Sequence, residues 1–233
     1  MSSIAQHLQQ VQQQIARAVE KAGRDPASVR LLAVSKTFGP EAVLEAVQAG
    51  QRAFGENYLQ EALDKMAAMP ALAPGVMLEW HFIGPIQSNK TRPIAEHFDW
   101  VHSVDRLKIA QRLSEQRPAE LAPLDICLQV NISGEESKSG LTPQELPAVA
   151  VEVARLPRLR LRGLMAIPAP SEDQAAQRAA FAAVRRLFEQ LRADGLALDT
   201  LSMGMSADLD AAVAEGASIV RIGSAIFGAR HYA

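Results

Sequence analysis

A single (β/α)8 barrel, a TIM barrel with an extra N-terminal helix, is the fold class this sequence predicts. Two observations carry it: strand-like and helix-like segments alternate with a regular beat, and no linker divides the 233 residues. At the N-terminus, Ile4, Leu8, Val11, Ile15 and Val19 recur at steps of four and three, one apolar stripe on a helix ending near Gly23. Strand-like runs follow at 30–35, 52–55, 78–83, 100–103, 125–132, 160–166, 198–202 and 218–222. Helical patterns between them cover 41–49, 58–68, 105–116, 143–155, 174–193 and 208–215. The clearest gathers Phe181, Val184, Leu187, Phe188 and Leu191 on one face and carries Arg178, Arg185, Arg186 and Arg192 largely elsewhere. Segments 71–74, 117–123, 133–141 and 169–173 read as loops of one domain spanning 1–233. A doubly wound open sheet would use similar segments and stands as the alternative. Against nucleotide folds, the first βα turn has no G-x-G-x-x-G, and Lys36-Thr37 lacks both P-loop glycines, those positions being Arg30 and Ser35.

Composition narrows the function classes. A chain 48% hydrophobic and 21% charged suits a globular protein with a sizeable core. The formal charge of −2, with no Lys/Arg block, argues against broad nucleic-acid affinity. Cys127 is the one cysteine, so neither a disulfide framework nor a multi-thiolate zinc cluster is available. It falls in the apolar run 126–130 and reads as an inert core thiol. No apolar stretch approaches membrane-spanning length and no signal-peptide pattern opens the chain, which makes the cytoplasm the expected compartment. A monomer is a separate expectation that these features do not set. His81, His97 and His102 lie on different elements without paired-ligand spacing, so ordinary polar packing is expected of each.

Lys36 is the most informative residue. It closes the apolar run of the first strand and precedes a helix, the position where α/β proteins place reactive groups. A lysine left in water has a pKa of about 10.4 and is almost wholly protonated at pH 7. Partial burial favours the neutral amine that Schiff-base chemistry needs. The alternative is a rim lysine with its head in water.

Barrels of this class often hold phosphate in the loops after strands seven and eight. Here those loops read Gly204-Met205-Ser206 and Gly223-Ser224. Glycine lets backbone approach an anion, and N–H groups with a serine hydroxyl supply donors. Ser206 and Ser224 could equally be helix N-caps. Arg221 interrupts the apolar eighth strand on the parity opposite its neighbours, which in a barrel is the lumen or its mouth. A guanidinium there needs an acceptor, either a ligand or a neighbouring carboxylate.

Several stretches together resemble the pyridoxal phosphate homeostasis proteins. They are 32–37 (LAVSKT), 54–58 (FGENY), 80–84 (WHFIG), 87–90 (QSNK), 137–141 (SKSGL), 163–165 (GLM), 201–206 (LSMGMS) and 220–224 (VRIGS), in order along nearly the whole chain. The resemblance implies a barrel related to the N-terminal domain of alanine racemase, with pyridoxal phosphate (PLP) held as a Schiff base on Lys36. It further implies that Ser206, Gly223 and Ser224 bind the phosphate, Arg221 faces the pyridine nitrogen and Asn57 lies near the cofactor. Asn57-x-x-Gln60 also reads as a capping box. Lys138 would be a second amine on a mobile loop, with PLP-requiring apo-enzymes as recipients. The chain ends Arg230-His231-Tyr232-Ala233, without the lysines that often close this family's sequences.

Elementary chemistry favours a carrier over a catalyst. A cation at the pyridine nitrogen disfavours ring protonation and weakens the electron sink that carbanion chemistry needs. Racemisation needs acid/base groups on both faces of the α-carbon, and the two tyrosines, Tyr58 and Tyr232, sit at a helix start and near the terminus. A low-activity PLP racemase or decarboxylase and a cofactor-free Schiff-base aldolase are the rivals.

Overall fold

The computed structural model describes residues 3–136 and 138–229. Eight parallel strands close into one barrel in sequence order: β1 Arg30–Val34, β2 Ala53–Glu56, β3 Glu79–Phe82, β4 Trp100–Val104, β5 Leu124–Gln129, β6 Leu159–Met165, β7 Thr200–Ser202 and β8 Ile219–Ile222. The open-sheet alternative is thereby excluded. β8 pairs with β1, setting Arg30 level with Ile219 and Leu32 level with Arg221.

The helices form the outer ring: α1 Ser3–Lys21, α2 Pro40–Gln48, α3 Leu59–Leu72, α4 Thr91–His97, α5 Leu107–Gln116, α6 Leu146–Ala154, α7 Gln174–Ala193, α8 Leu209–Ala214 and α9 Ser224–Phe227. The stripe read in the first segment is the buried face of α1, which packs on α2, α8 and α9. Strand parity divides the core. Ala33, Phe54, Phe82, Ile126, Leu164 and Val220 pack outward under the helices. Leu32, Ala53, Trp100, Cys127, Met165 and Ile219 form a separate cluster inside the barrel. Among the described residues no helix is long and apolar enough to cross a membrane.

Three boundaries differ from expectation for physical reasons. Between β3 and β4 the sequence showed no helix, yet α4 forms after a one-turn 3-10 segment, Ser88–Lys90, despite Pro93. Helix α3 runs on to Leu72 through Pro70, which sits in its last turn and forfeits one backbone bond while Met69 stays buried. Strand β5 stops at Gln129 rather than 132. There the backbone is taken over by its own returning loop, Leu141 N–H donating to Gln129 O at 2.8 Å and Asn131 N–H to Leu141 O at 2.9 Å.

Candidate functional site

Lys36 stands two residues beyond the end of β1, on the inward parity of Leu32, and is half-buried. The backbone around it is fixed by a buried polar network that the sequence did not announce. Lys65, 1% exposed on α3, donates to Ser35 O (2.7 Å), Glu56 Oε1 (2.7 Å) and Glu61 Oε1 (2.6 Å). Ser35 Oγ donates to the same Glu56 oxygen, and Thr37 N–H donates to Glu61 Oε1 at 2.6 Å. Both neighbours of Lys36 are therefore clamped from the helix side of the wall. Burial pushes the Glu56 carboxyl above its ordinary value, with Lys65 pulling the other way. Thr37 is held at φ 69°, a left-handed conformation costly for a β-branched residue.

One residue beyond β2, Asn57 continues the inward parity of Ala53 and Gly55. Its side-chain oxygen is buried without a hydrogen-bond partner, and so is Thr37 Oγ1. The capping-box reading of Asn57 fails, since the N-cap of α3 is Tyr58 and makes no side-chain cap bond. Gly84 explains why Asn57 can sit there. A Cβ on Gly84 would collide with the Asn57 backbone.

Arg221 points into the lumen and is 5% exposed. Its Nη1 donates to Ser202 Oγ (2.7 Å) and its Nη2 to Ala166 O (3.0 Å), both neutral acceptors. Among the described residues no carboxylate lies within ion-pair distance of it. Desolvation brings its pKa down to about 10, with Asp208 acting weakly in the other direction. The directly paired carboxylate that the sequence left open is absent there, so the guanidinium's hydrogen bonds go to neutral dipoles and Asp208 acts on it without a direct pair.

The two glycine-serine turns are laced together, because Arg221 N–H donates to Gly204 O at 2.9 Å while Gly204 takes φ 102°. Neither serine is a cap. Asp208 and Gly223 hold the N-cap positions of α8 and α9. Ser206 and Ser224 are exposed, and in α9 the N–H groups of Ile226 and Phe227 already donate to Gly223 O (2.9 and 3.0 Å), so only those of Ser224 and Ala225 precede the helix's first acceptor. One expected donor is already used, since Met205 N–H binds Asp208 Oδ1 at 2.6 Å. A cleft of about 640 Å3 lies outside the barrel among α1, α7 and α8. Ser206 is on its rim, but Lys36, Asn57 and Arg221 do not line it.

With that geometry in view, relatives are informative. The alanine racemase N-terminal domain family matches residues 6–231. A pyridoxal phosphate homeostasis protein of Pseudomonas aeruginosa is 66% identical over 232 residues, spanning 100% of this chain and 98% of that one. The chain belongs to the pyridoxal phosphate homeostasis protein family. The Escherichia coli K12 member is 55% identical over 236 residues, covering 100% of this chain and 99% of its own. PipY of Synechococcus elongatus PCC7942, solved with PLP bound, matches with a TM-score of 0.79 at 39% identity, covering 92% of this chain and 100% of PipY.

Two further motif residues of this family member need placing. Lys138 makes an ion pair with Glu135 at 3.0 Å, in a turn gathered by Asn131 Nδ2, which donates to Glu135 O at 2.8 Å. Ser137 and Tyr232 lie outside the described residues. His81 and His102 pack as buried polar groups, and against each other: His81 Nδ1 and His102 Nε2 lie 2.8 Å apart in the lumen, and His102 Nδ1 is 2.7 Å from Ser202 Oγ. Strand parity was the available signal, since His81 sits between outward-packed Trp80 and Phe82 and His102 follows outward-packed Val101. His97 is exposed and bonds only Pro93 O. Among the described residues no group of three His, Cys, Asp or Glu is placed to hold a metal.

Proposed function

We propose that this chain binds PLP as a Schiff base on Lys36 and serves as a cytoplasmic carrier or regulator of the PLP pool, not as an amino-acid-transforming enzyme. PLP supplies an aldehyde that a primary amine captures reversibly with loss of water. The observation that carries the reading is Arg221, a buried guanidinium with only neutral acceptors on the inward face that Lys36 and Asn57 share. Two buried oxygens without partners, on Asn57 and Thr37, fit a polar ligand at that mouth. Lys36 offers the amine, and the clamp on Ser35 and Thr37 holds its backbone in place. Ser206, Gly223 and Ser224 offer hydroxyl and backbone donors to a phosphate monoester.

The same residues argue against carbanion chemistry. Arg221 donates and stays charged at pH 7, so it keeps a facing pyridine nitrogen unprotonated. Tyr58 is 49% exposed at the start of α3 and offers no acid/base group at the mouth. The names carried by close relatives agree with a homeostatic role. The test is visible absorbance with and without borohydride, followed by peptide mapping. The reduced adduct is expected on Lys36 and lost in Lys36→Ala. An adduct chiefly on Lys138 or Lys90 would overturn the site, and exchange of amino-acid Cα protons would overturn the non-enzymatic reading.

A further inference from the structure

Below Arg221 the barrel is crossed by an unbroken polar column. Arg221 Nη1 donates to Ser202 Oγ (2.7 Å), and Ser202 Oγ lies 2.7 Å from His102 Nδ1. His102 Nε2 is 2.8 Å from His81 Nδ1, and His81 Nε2 is 2.7 Å from Glu79 Oε1. Glu79 opens β3 at the far, N-terminal end of the barrel, where Arg30 donates to the same oxygen at 2.6 Å. Ser202 and both histidines are at most 1% exposed, so water does not compete for these bonds.

The ends fix the direction of every bond between them. A guanidinium only donates and a carboxylate only accepts. Glu79 is ionised at neutral pH, held to about 2 chiefly by the His81 N–H. Ser202 accepts from Arg221 and so has its own hydrogen free for His102 Nδ1. His102 must then carry its proton on Nε2 and donate to His81 Nδ1. His81 in turn carries its proton on Nε2 and donates to Glu79. Every donor finds an acceptor with both imidazoles neutral, and burial lowers both, His102 well below the usual histidine value. The opposite direction would set an imidazole lone pair against the Glu79 carboxylate, or require a buried imidazolium.

We propose that His102, His81 and Glu79 are positioning residues for Arg221: a one-way hydrogen-bonded column, anchored at the opposite end of the barrel, that holds the Ser202 hydroxyl as an acceptor and thereby fixes the guanidinium at the cofactor mouth. This rests on the reading of Arg221 as the group facing PLP. The column's polarity is a property of the protein before anything binds. Without the Glu79 acceptor, His81 can adopt either tautomer, and the ambiguity passes through His102 to the hydroxyl rotor that Arg221 depends on.

The experiment uses the full chain with 15N-labelled histidine and long-range 15N–1H correlation, together with PLP titration by absorbance. In the unliganded wild type at pH 7, His81 and His102 are both expected neutral with the proton on Nε2. A proton on Nδ1 of either ring, or an imidazolium, overturns the column. Glu79→Leu, at a partly exposed position, should give mixed tautomers at His102 and weaken PLP binding about 2- to 10-fold, the loss of one hydrogen bond's worth of order. Glu79→Gln keeps an acceptor oxygen and should restore both readouts. A wild type that binds PLP, with Glu79→Leu unchanged or Glu79→Gln as impaired as Glu79→Leu, sinks the positioning role alone. A wild type that fails to bind PLP sinks the functional reading instead, while the tautomer spectra still judge the column.

Discussion

Lys65→Met is the most searching perturbation of the wall that holds Lys36. The lysine amine is buried and donates to three oxygens, two of them carboxylate. Its main partner, Glu56, is 0% exposed, and the Oε2 atom already lacks a hydrogen-bond partner. Methionine fills similar volume but leaves that carboxylate with the Ser35 hydroxyl as its only donor. Removing one member of a buried pair costs about 3–5 kcal/mol. In a chain of this size 1 kcal/mol moves the melting temperature by about 2–4 °C, so a fall of roughly 6–20 °C is expected. Adding Glu56→Gln removes the stranded charge, and the double variant should recover most of the loss. The sign of the pH effect is also fixed. With Lys65 gone, the Glu56 pKa rises further above its unfolded value, so the penalty is largest at pH 8 and shrinks toward pH 5. Urea denaturation of both single variants and the double, at both pH values, measures each quantity. A Lys65→Met protein within about 1 kcal/mol of wild type, or a double variant no better than Lys65→Met, would refute the account.

Three further expectations follow from the same geometry. His81 and His102 are neutral when folded but protonate when unfolded below about pH 6.5, so stability should fall by up to about 1.4 kcal/mol per pH unit per histidine between pH 6 and 5. Carboxyls raised by burial at Glu56, Asp99, Asp125 and Asp208 act in the opposite sense, whereas Glu79, held to about 2 chiefly by the His81 N–H, loses stability in the same sense as the histidines as pH falls below about 5. The histidine share is therefore read as the loss of slope in His102→Gln, measured by denaturation at pH 5, 6 and 7. Thr37→Gly relieves a left-handed β-branched residue and removes a buried hydroxyl without a partner, and should raise stability by up to about 1 kcal/mol; a lower melting temperature would contradict that. Gly84→Ala drives a methyl group against the Asn57 backbone and should cost about 1–3 kcal/mol, with weaker PLP retention in an absorbance titration.

Much of the barrel could be read from period and parity. The alternation that turns Arg221 inward is the rule the structure follows elsewhere, with Leu32, Ala53 and Ile219 inside and Ala33, Phe54 and Val220 outside. Helix α7 was legible to its boundaries because its stripe is long and continuous. The short helix α4 escaped because seven residues with a proline carry too little periodicity to stand out. Polar groups inside the wall were harder for a different reason. Lys65 occupies a core position of α3 beside Ala62 and Met69, where a pattern of apolar residues treats lysine as an interruption. Its i,i+4 spacing from Glu61 was visible, but its longer-range partner Glu56 comes from another element. His81 and His102 are likewise joined only once β3 and β4 pair side by side.

On the function proposed above, the placement of charge in this barrel bears on how one fold could serve either a carrier or a catalyst. Two buried cations serve the mouth, and they are treated oppositely. Lys65 is matched by carboxylates on the helix side of the wall, so its charge is spent on holding backbone. Arg221 hydrogen-bonds only to a hydroxyl and a carbonyl inside the lumen, so no carboxylate is paired with it directly. A carboxylate in place of Ser202 would pair the guanidinium, relieve its desolvation and leave it little reason to bind anything else. The imidazole column supplies an alternative: it satisfies the hydroxyl beneath Arg221 with neutral groups and places the carboxylate that terminates the column, Glu79, at the other end of the barrel. The arginine is thereby fixed in position without a paired carboxylate, which on the proposed function suits a group set against an electron-rich ring nitrogen that stays unprotonated.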